Sequence, residues 1–204
     1  MNAMGYDAMA LGPKELSLGL EVLRQRLDEA QFPMLSANAR LAASGELLAE
    51  PYTLLEVGPQ RVAILALTRP APDLPPDLQV TDPGQALADY LPQVAEGADV
   101  VVLLTNIDYR SALSLVRDRP GVDLLIAALP GQLPAQALRL PESGTLAVTA
   151  EQPLFRHAGR RVGRLQVVVQ SDGSLTDELW VSISLTSGFA DDLQMQALLQ
   201  GFLE

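Results

Sequence analysis

Apolar residues recur along this chain at two different periods, and the change of period marks its elements. Between Lys14 and Ala30 the leucines Leu16, Leu20, Leu23 and Leu27 fall on one side of a 3.6-residue repeat, which predicts an amphipathic helix. Residues 32–38 read as a short strand. The runs 52–58 and 61–68 flank Gly58-Pro59-Gln60 and read as a hairpin. Thr81 or Asp82 can cap a helix that Pro83 opens, because proline is tolerated where the first backbone N–H groups have no helical partner. Residues 98–105 are almost continuously apolar, the pattern of a strand covered on both faces, and residues 122–129 repeat it. The helix over 111–121 lies between them and ends at Pro120-Gly121. Further on, residues 144–150, 160–170 and 178–186 alternate as strands, with Ser171-Asp172-Gly173-Ser174 as a turn, and residues 190–203 form a closing helix with Asp191 and Asp192 near its positive end. The proline-rich stretch from Arg69 to Pro83 reads as a surface loop. Strand and helix alternate in the first half and strands dominate the second, so the pattern predicts a layered α/β fold with mixed sheets.

Composition narrows the function more than the fold. The 204 residues are 48% hydrophobic, enough for a single domain with a sizeable core over 1–204. The net charge of −11 argues against nucleic acid and against anionic membranes as partners. There is no cysteine and only one histidine, His157, so neither a thiolate site nor a histidine-rich metal centre can be built within the chain. No apolar run is long enough to span a bilayer and no signal-peptide pattern is present, which reads as a cytoplasmic protein.

The order of segments resembles the catalytic domain of the 5′-nucleotidase family, within the calcineurin-like metallophosphoesterases. The resemblance rests on NAMGYDAMALG (2–12), on residues 19–39 with their LSANA, on EPYTLLEVGPQRVAILALT (50–68), on residues 80–105 ending in LLT, on GVDLLIAALPG (121–131) and on VGRLQVVVQSDG (162–173). It implies a two-sheet sandwich flanked by helices and, in the family, two metal ions that activate a water and clamp a phosphate. It also implies that this chain lacks the family's first strands and has no C-terminal nucleotide-binding domain.

The family's ligand positions do not carry over. In Gly12-Pro13-Lys14-Glu15, Pro13 stands where the resemblance implies a ligating asparagine and Lys14 where it implies the catalytic histidine. Asn106 replaces a ligating histidine after the LLT strand, and Leu129 and Gly131 replace the last two histidines. Gly12, Pro13, Lys14, Glu15, Asn106, Leu129 and Gly131 thus mark a vestigial site, with no metal and no cofactor expected. Lys14 reads either as a solvated first-turn lysine or as an ammonium that occupies the vacated cation site beside Asn106. Asp7, Glu15, Asn106 and Asp108 each have an ordinary turn or capping reading, and together they are the residues around which a rebuilt catalytic site would form. Arg156, His157, Arg160 and Arg161 make a basic patch in an acidic chain, an anion-binding candidate or a solvated hairpin.

The expectation is a degenerate, non-catalytic metallophosphoesterase-like domain acting in binding or assembly. The alternative is a phosphohydrolase with a rebuilt site. Without the first strands, VVVLLT or LLIAAL is left at an edge or with an uncovered face, which predicts a homodimer or a partner chain that covers it. The other possibility is that the N-terminal segment folds back over the gap.

Overall fold

The computed structural model describes residues 1–129, 137–149 and 161–201. Its centre is a six-stranded sheet in the order β4-β5-β7-β8-β10-β9. The strands are β4 (Tyr52–Val57), β5 (Gln60–Leu67), β7 (Val100–Asp108), β8 (Leu124–Leu129), β9 (Leu138–Arg139) and β10 (Leu146–Thr149). β5, β7, β8 and β10 run parallel, and β4 and β9 add antiparallel edges. Parallel neighbours need long crossovers, and α3 (Pro83–Gly97) and α4 (Tyr109–Val116) supply those of the β5–β7 and β7–β8 pairs.

Side-chain alternation sorts each strand between two cores. Ala63, Leu65 and Leu67 of β5, Val101 and Leu103 of β7, and Leu125 and Ala127 of β8 pack with Leu87, Leu91 and Val94 of α3 and Ala112, Leu113 and Val116 of α4. The intervening Val62, Ile64, Val100, Val102, Leu124 and Ile126 face the other way, toward Leu175, Val167 and Val169. Those three residues belong to a hairpin of β11 (Arg161–Val169) and β12 (Leu175–Ser184), joined at the turn the sequence predicts. The strands are apolar on both faces because both faces are buried, one by helices and the other in part by a hairpin.

A smaller core gathers at one end. The expected helix over Lys14–Ala30 is two helices, α1 (Pro13–Leu16) and α2 (Leu20–Glu29). Gly19 takes a left-handed φ of 86°, a conformation glycine adopts without steric cost, and this breaks the helix between them. The predicted apolar stripe survives the break. Leu16 and Leu23 are buried, with Leu20 and Leu27 packed against them, beside Leu11 after β1 (Met9–Ala10), Ala39 of β3 (Ala39–Leu41) and Leu78 of β6 (Leu78–Val80). β6 lies inside the stretch read from sequence as a plain surface loop and pairs antiparallel with β3. β2 (Met34–Leu35) pairs parallel with β1. The last helix, α5 (Leu193–Gln200), is capped by Asp192, whose carboxylate accepts from the Gln194 and Met195 N–H groups, and it buries none of its residues.

One expectation about edges is corrected. Neither VVVLLT nor LLIAAL is an edge strand, because β7 pairs with β5 and β8, and β8 pairs with β7 and β10. Part of their second face is open instead, and Met4 to Ala8 line one side of that opening. Among the described residues no helix is long and apolar enough to cross a membrane.

Candidate functional site

β1, β2, β5 and β7 bring residues at or just past their ends to one place, and four of the six buried polar residues among those described collect there. Ser36, Asn38, Thr68 and Thr105 are all fully buried. Polar groups removed from water must be paired to avoid a large desolvation cost, and these are. Asn38 Oδ1 accepts from the Thr68 N–H at 2.8 Å, so its Nδ2 is the donor, to the Thr68 and Thr81 carbonyls at 2.9 and 3.0 Å. The Ser36 and Thr68 hydroxyls lie 2.7 Å apart, and the Thr68 hydroxyl donates to the Leu11 carbonyl at 2.8 Å. The Thr105 hydroxyl donates to the Leu67 carbonyl and accepts from the Ile107 N–H.

Asn106 joins this network through a break in the sheet. The β7–β8 register shifts between Thr105 and Asp108, an irregularity that re-aims the side chain of the residue within it. Asn106 Oδ1 accepts from the Arg69 N–H at 2.7 Å, which fixes the amide orientation, and Nδ2 donates to the Leu11 carbonyl at 2.6 Å. Gly12 is buried directly beneath. A Cβ there would lie 2.8 Å from Glu15 Oε2 and 3.0 Å from Asn106 Nδ2. Glu15 turns back to accept from the Gly12 N–H at 3.0 Å, closing the start of α1 as a capping carboxylate does. Gly12, Glu15 and Asn106 are therefore packed together.

The other sequence candidates are placed elsewhere. Lys14 is exposed, and its ammonium has no hydrogen bond or ion pair among the described residues. This exposure goes against the reading in which Lys14 fills a cation site beside Asn106. Pro13 opens α1 and has no side-chain donor atom. Asp108 caps α4, accepting from the Ser111 N–H at 3.1 Å. Hydrogen bonds from Ser111, side chain first and backbone second, hold its carboxyl below the usual aspartate range. Asp7 is exposed and lines a groove against Ile64, Val102 and Leu104 rather than joining the Asn106 cluster. Leu129 ends β8 opposite Asp108 in the sheet register. Gly131, Arg156, His157 and Arg160 lie outside the described residues. Arg161 begins β11, and its Nε donates to the Ser182 hydroxyl at 2.9 Å. The four-residue set of Asp7, Glu15, Asn106 and Asp108 is not assembled into one cluster.

The two-metal centre that the resemblance implies does not fit what is here. Both ends of the Asn106 amide are used, Glu15 is turned onto a backbone N–H, and position 13 offers no ligand. Among the described residues no group of three or more histidine, cysteine, aspartate or glutamate side chains is placed to hold a metal ion. What the arrangement does chemically is satisfy four chain segments by hydrogen bonds. Sequence reading missed Ser36, Asn38 and Thr68 as parts of it. The signal was there in a serine and an asparagine that directly follow an apolar strand.

Comparison with known proteins agrees with this geometry in fold and departs from it in extent. Protein UshA of Escherichia coli is 30% identical over 138 residues, 64% of this chain and 25% of that protein. The 5′-nucleotidase precursor of Thermus thermophilus superposes with a TM-score of 0.77 at 27% identity, covering 96% of this chain and 42% of that one. The calcineurin-like phosphoesterase YfkN of Bacillus subtilis superposes with a TM-score of 0.74 at 23% identity, covering 100% of this chain and 72% of that chain. The chain thus spans 25% of the length of UshA. No protein-family model matches it.

Proposed function

We propose that this chain, which is similar to 5′-nucleotidases in sequence and to calcineurin-like phosphoesterases in fold, keeps the phosphoesterase scaffold without metal-dependent hydrolysis and acts in binding or assembly. One observation carries this reading. Asn106, at a position where the resemblance implies a metal ligand, spends its amide oxygen on Arg69 and its amide nitrogen on Leu11. A ligand must present a lone pair to the metal, and catalysis by two metals needs several such groups around an open position. Here the polar atoms face one another. Glu15 and Asn106 crowd the same point beside Gly12, where a Cβ would meet both.

The test is hydrolysis of nucleoside monophosphates and of a generic phosphoester, with Mg, Mn, Zn or Co added, together with elemental analysis of the purified protein. No turnover above background and no stoichiometric metal are expected. Metal-dependent turnover that disappears in Glu15→Ala or Asp108→Ala would replace this reading with a phosphohydrolase built on a new ligand set.

A further inference from the structure

Two apolar surfaces of this chain lack a partner among the described residues, and they match. The first is a trough across the second face of the central sheet. One part of it, about 660 Å³, lies between Met4–Ala8 and the sheet residues Ile64, Val102, Leu104 and Ile126. The other part, about 520 Å³, lies between β11 and the sheet residues Leu124, Ile126 and Val148. Ile126 and Gly163 line both parts, so the two adjoin along the sheet face. The second surface is α5 with the turn before it. Phe189, Leu193, Leu198 and Leu199 are 55%, 78%, 46% and 59% exposed, and no residue of α5 is buried. Exposed apolar residues gathered on one helix and the turn before it fit an interaction surface.

We infer that α5 of one copy of this chain packs into the trough of a second copy, with a two-fold axis that makes the exchange reciprocal. The inference rests on the assembly half of the proposed function and names its contact. Met195, Leu198 and Leu199 stand at i, i+3 and i+4, the spacing by which a helix presents one apolar stripe to a groove. The eight residues of α5 span about 12 Å at the helical rise per residue. Charge agrees with the choice of partner. Arg161 lines the wall of the trough, where its Nε donates to the Ser182 hydroxyl, while Asp191 and Asp192 precede α5 and are exposed. A reciprocal contact brings each acidic turn near an arginine, so each apolar insertion is matched by an attraction of opposite charges at its rim.

Trp180 provides the readout. It is the only tryptophan in the chain and it lines the trough, with its ring lying against Gly163. Sedimentation equilibrium at micromolar concentration, paired with Trp180 emission over the same dilution series, tests the inference. The wild-type chain is expected to be a dimer whose emission shifts to the red as it dissociates. Leu198→Glu with Leu199→Glu is expected to be monomeric and red-shifted at every concentration, with unchanged circular dichroism, since both positions are exposed and glutamate is a good helix former. Asp191→Asn is expected to dissociate several-fold more readily than wild type, and less so as salt is raised. A dimer that persists in the double variant overturns the inference. So does a wild-type monomer, and a red shift in the double variant of such a monomer assigns α5 to its own trough. Hydrolysis is read separately: a monomer without turnover rejects only this contact, while a dimer with metal-dependent turnover rejects only the non-catalytic reading.

Discussion

Asn106 donates through Nδ2 to the Leu11 carbonyl at 2.6 Å, tying residues that lie 95 positions apart in the chain. The bond joins the end of β1 to the irregular end of β7, and the Arg69 N–H closes it from β5. Replacing Asn106 by alanine leaves the Leu11 carbonyl with the Thr68 hydroxyl alone and the Arg69 N–H without its acceptor. Asn106→Ala is expected to lower stability by about 1–3 kcal/mol, the cost of unpaired polar groups in a partly buried site. Urea denaturation measures it, and a change within a few tenths of a kcal/mol would show the bridge to be incidental.

Gly12 is needed for close approach and not for an unusual backbone. Its φ of −118° is open to any residue, while the space for a Cβ is taken by Glu15 and Asn106 side-chain atoms. Gly12→Ala is expected to destabilise by about 1–3 kcal/mol through overpacking. Glu15→Ala removes the nearer of the two neighbours. A double-mutant cycle should therefore find the pair less destabilising than the sum of the single changes, and strict additivity would contradict the contact.

Asn38 holds more of the structure than any residue singled out from sequence. It is fully buried and bonds Thr68 on both backbone atoms as well as the Thr81 carbonyl. Asn38→Ala is expected to be among the most damaging single changes in the chain, about 3 kcal/mol or more, because it strands several buried backbone groups at once. A thermal melt within a degree or two of wild type would refute this assignment.

Two aspartates should give opposite pH dependences. Hydrogen bonds from Ser111 depress the Asp108 carboxyl below its ordinary 3.8, so its contribution is present above that value and is lost as pH falls through the folded one. Burial raises the Asp123 carboxyl above 3.8 despite the bond it accepts from the Val101 N–H at 2.7 Å. The folded form then holds the proton more tightly than the unfolded form. Stability from this group is largest below 3.8 and declines as pH rises through the raised folded value. Asp123→Asn keeps an acceptor for Val101 and removes the charge, so it should raise stability at neutral pH and flatten the decline. Carboxyl-resolved NMR titration checks both directions, and an Asp123 that titrates below Asp108 would reverse the argument.

Asp108 also separates its two readings by magnitude. As the N-cap of α4 it should cost about 1 kcal/mol of stability on replacement by alanine and much less by asparagine, which caps equally well. Calorimetry of the two variants decides it, since only a capping role predicts rescue by asparagine.

Period and apolar run length alone identify most of the elements here. The strands over 98–105 and 122–129, the hairpin around Gly58 and the helix opened by Pro83 all follow from where apolar side chains must point to leave water. That Pro13 and Lys14 are poor metal ligands was legible too, because a proline side chain has no donor atom and a lysine is normally protonated, whatever the fold. Tertiary structure decided what fills those positions. Lys14 faces solvent from α1, while Asn106 turns inward where the β7–β8 register shifts, and local sequence does not encode register between strands so far apart. The split of the first helix at Gly19, the pairing of β6 with β3 and the burial of Asn38 follow the same logic: each depends on which distant segment arrives alongside. A sequence states which residues must be buried or bonded, and only the packed chain supplies their partners.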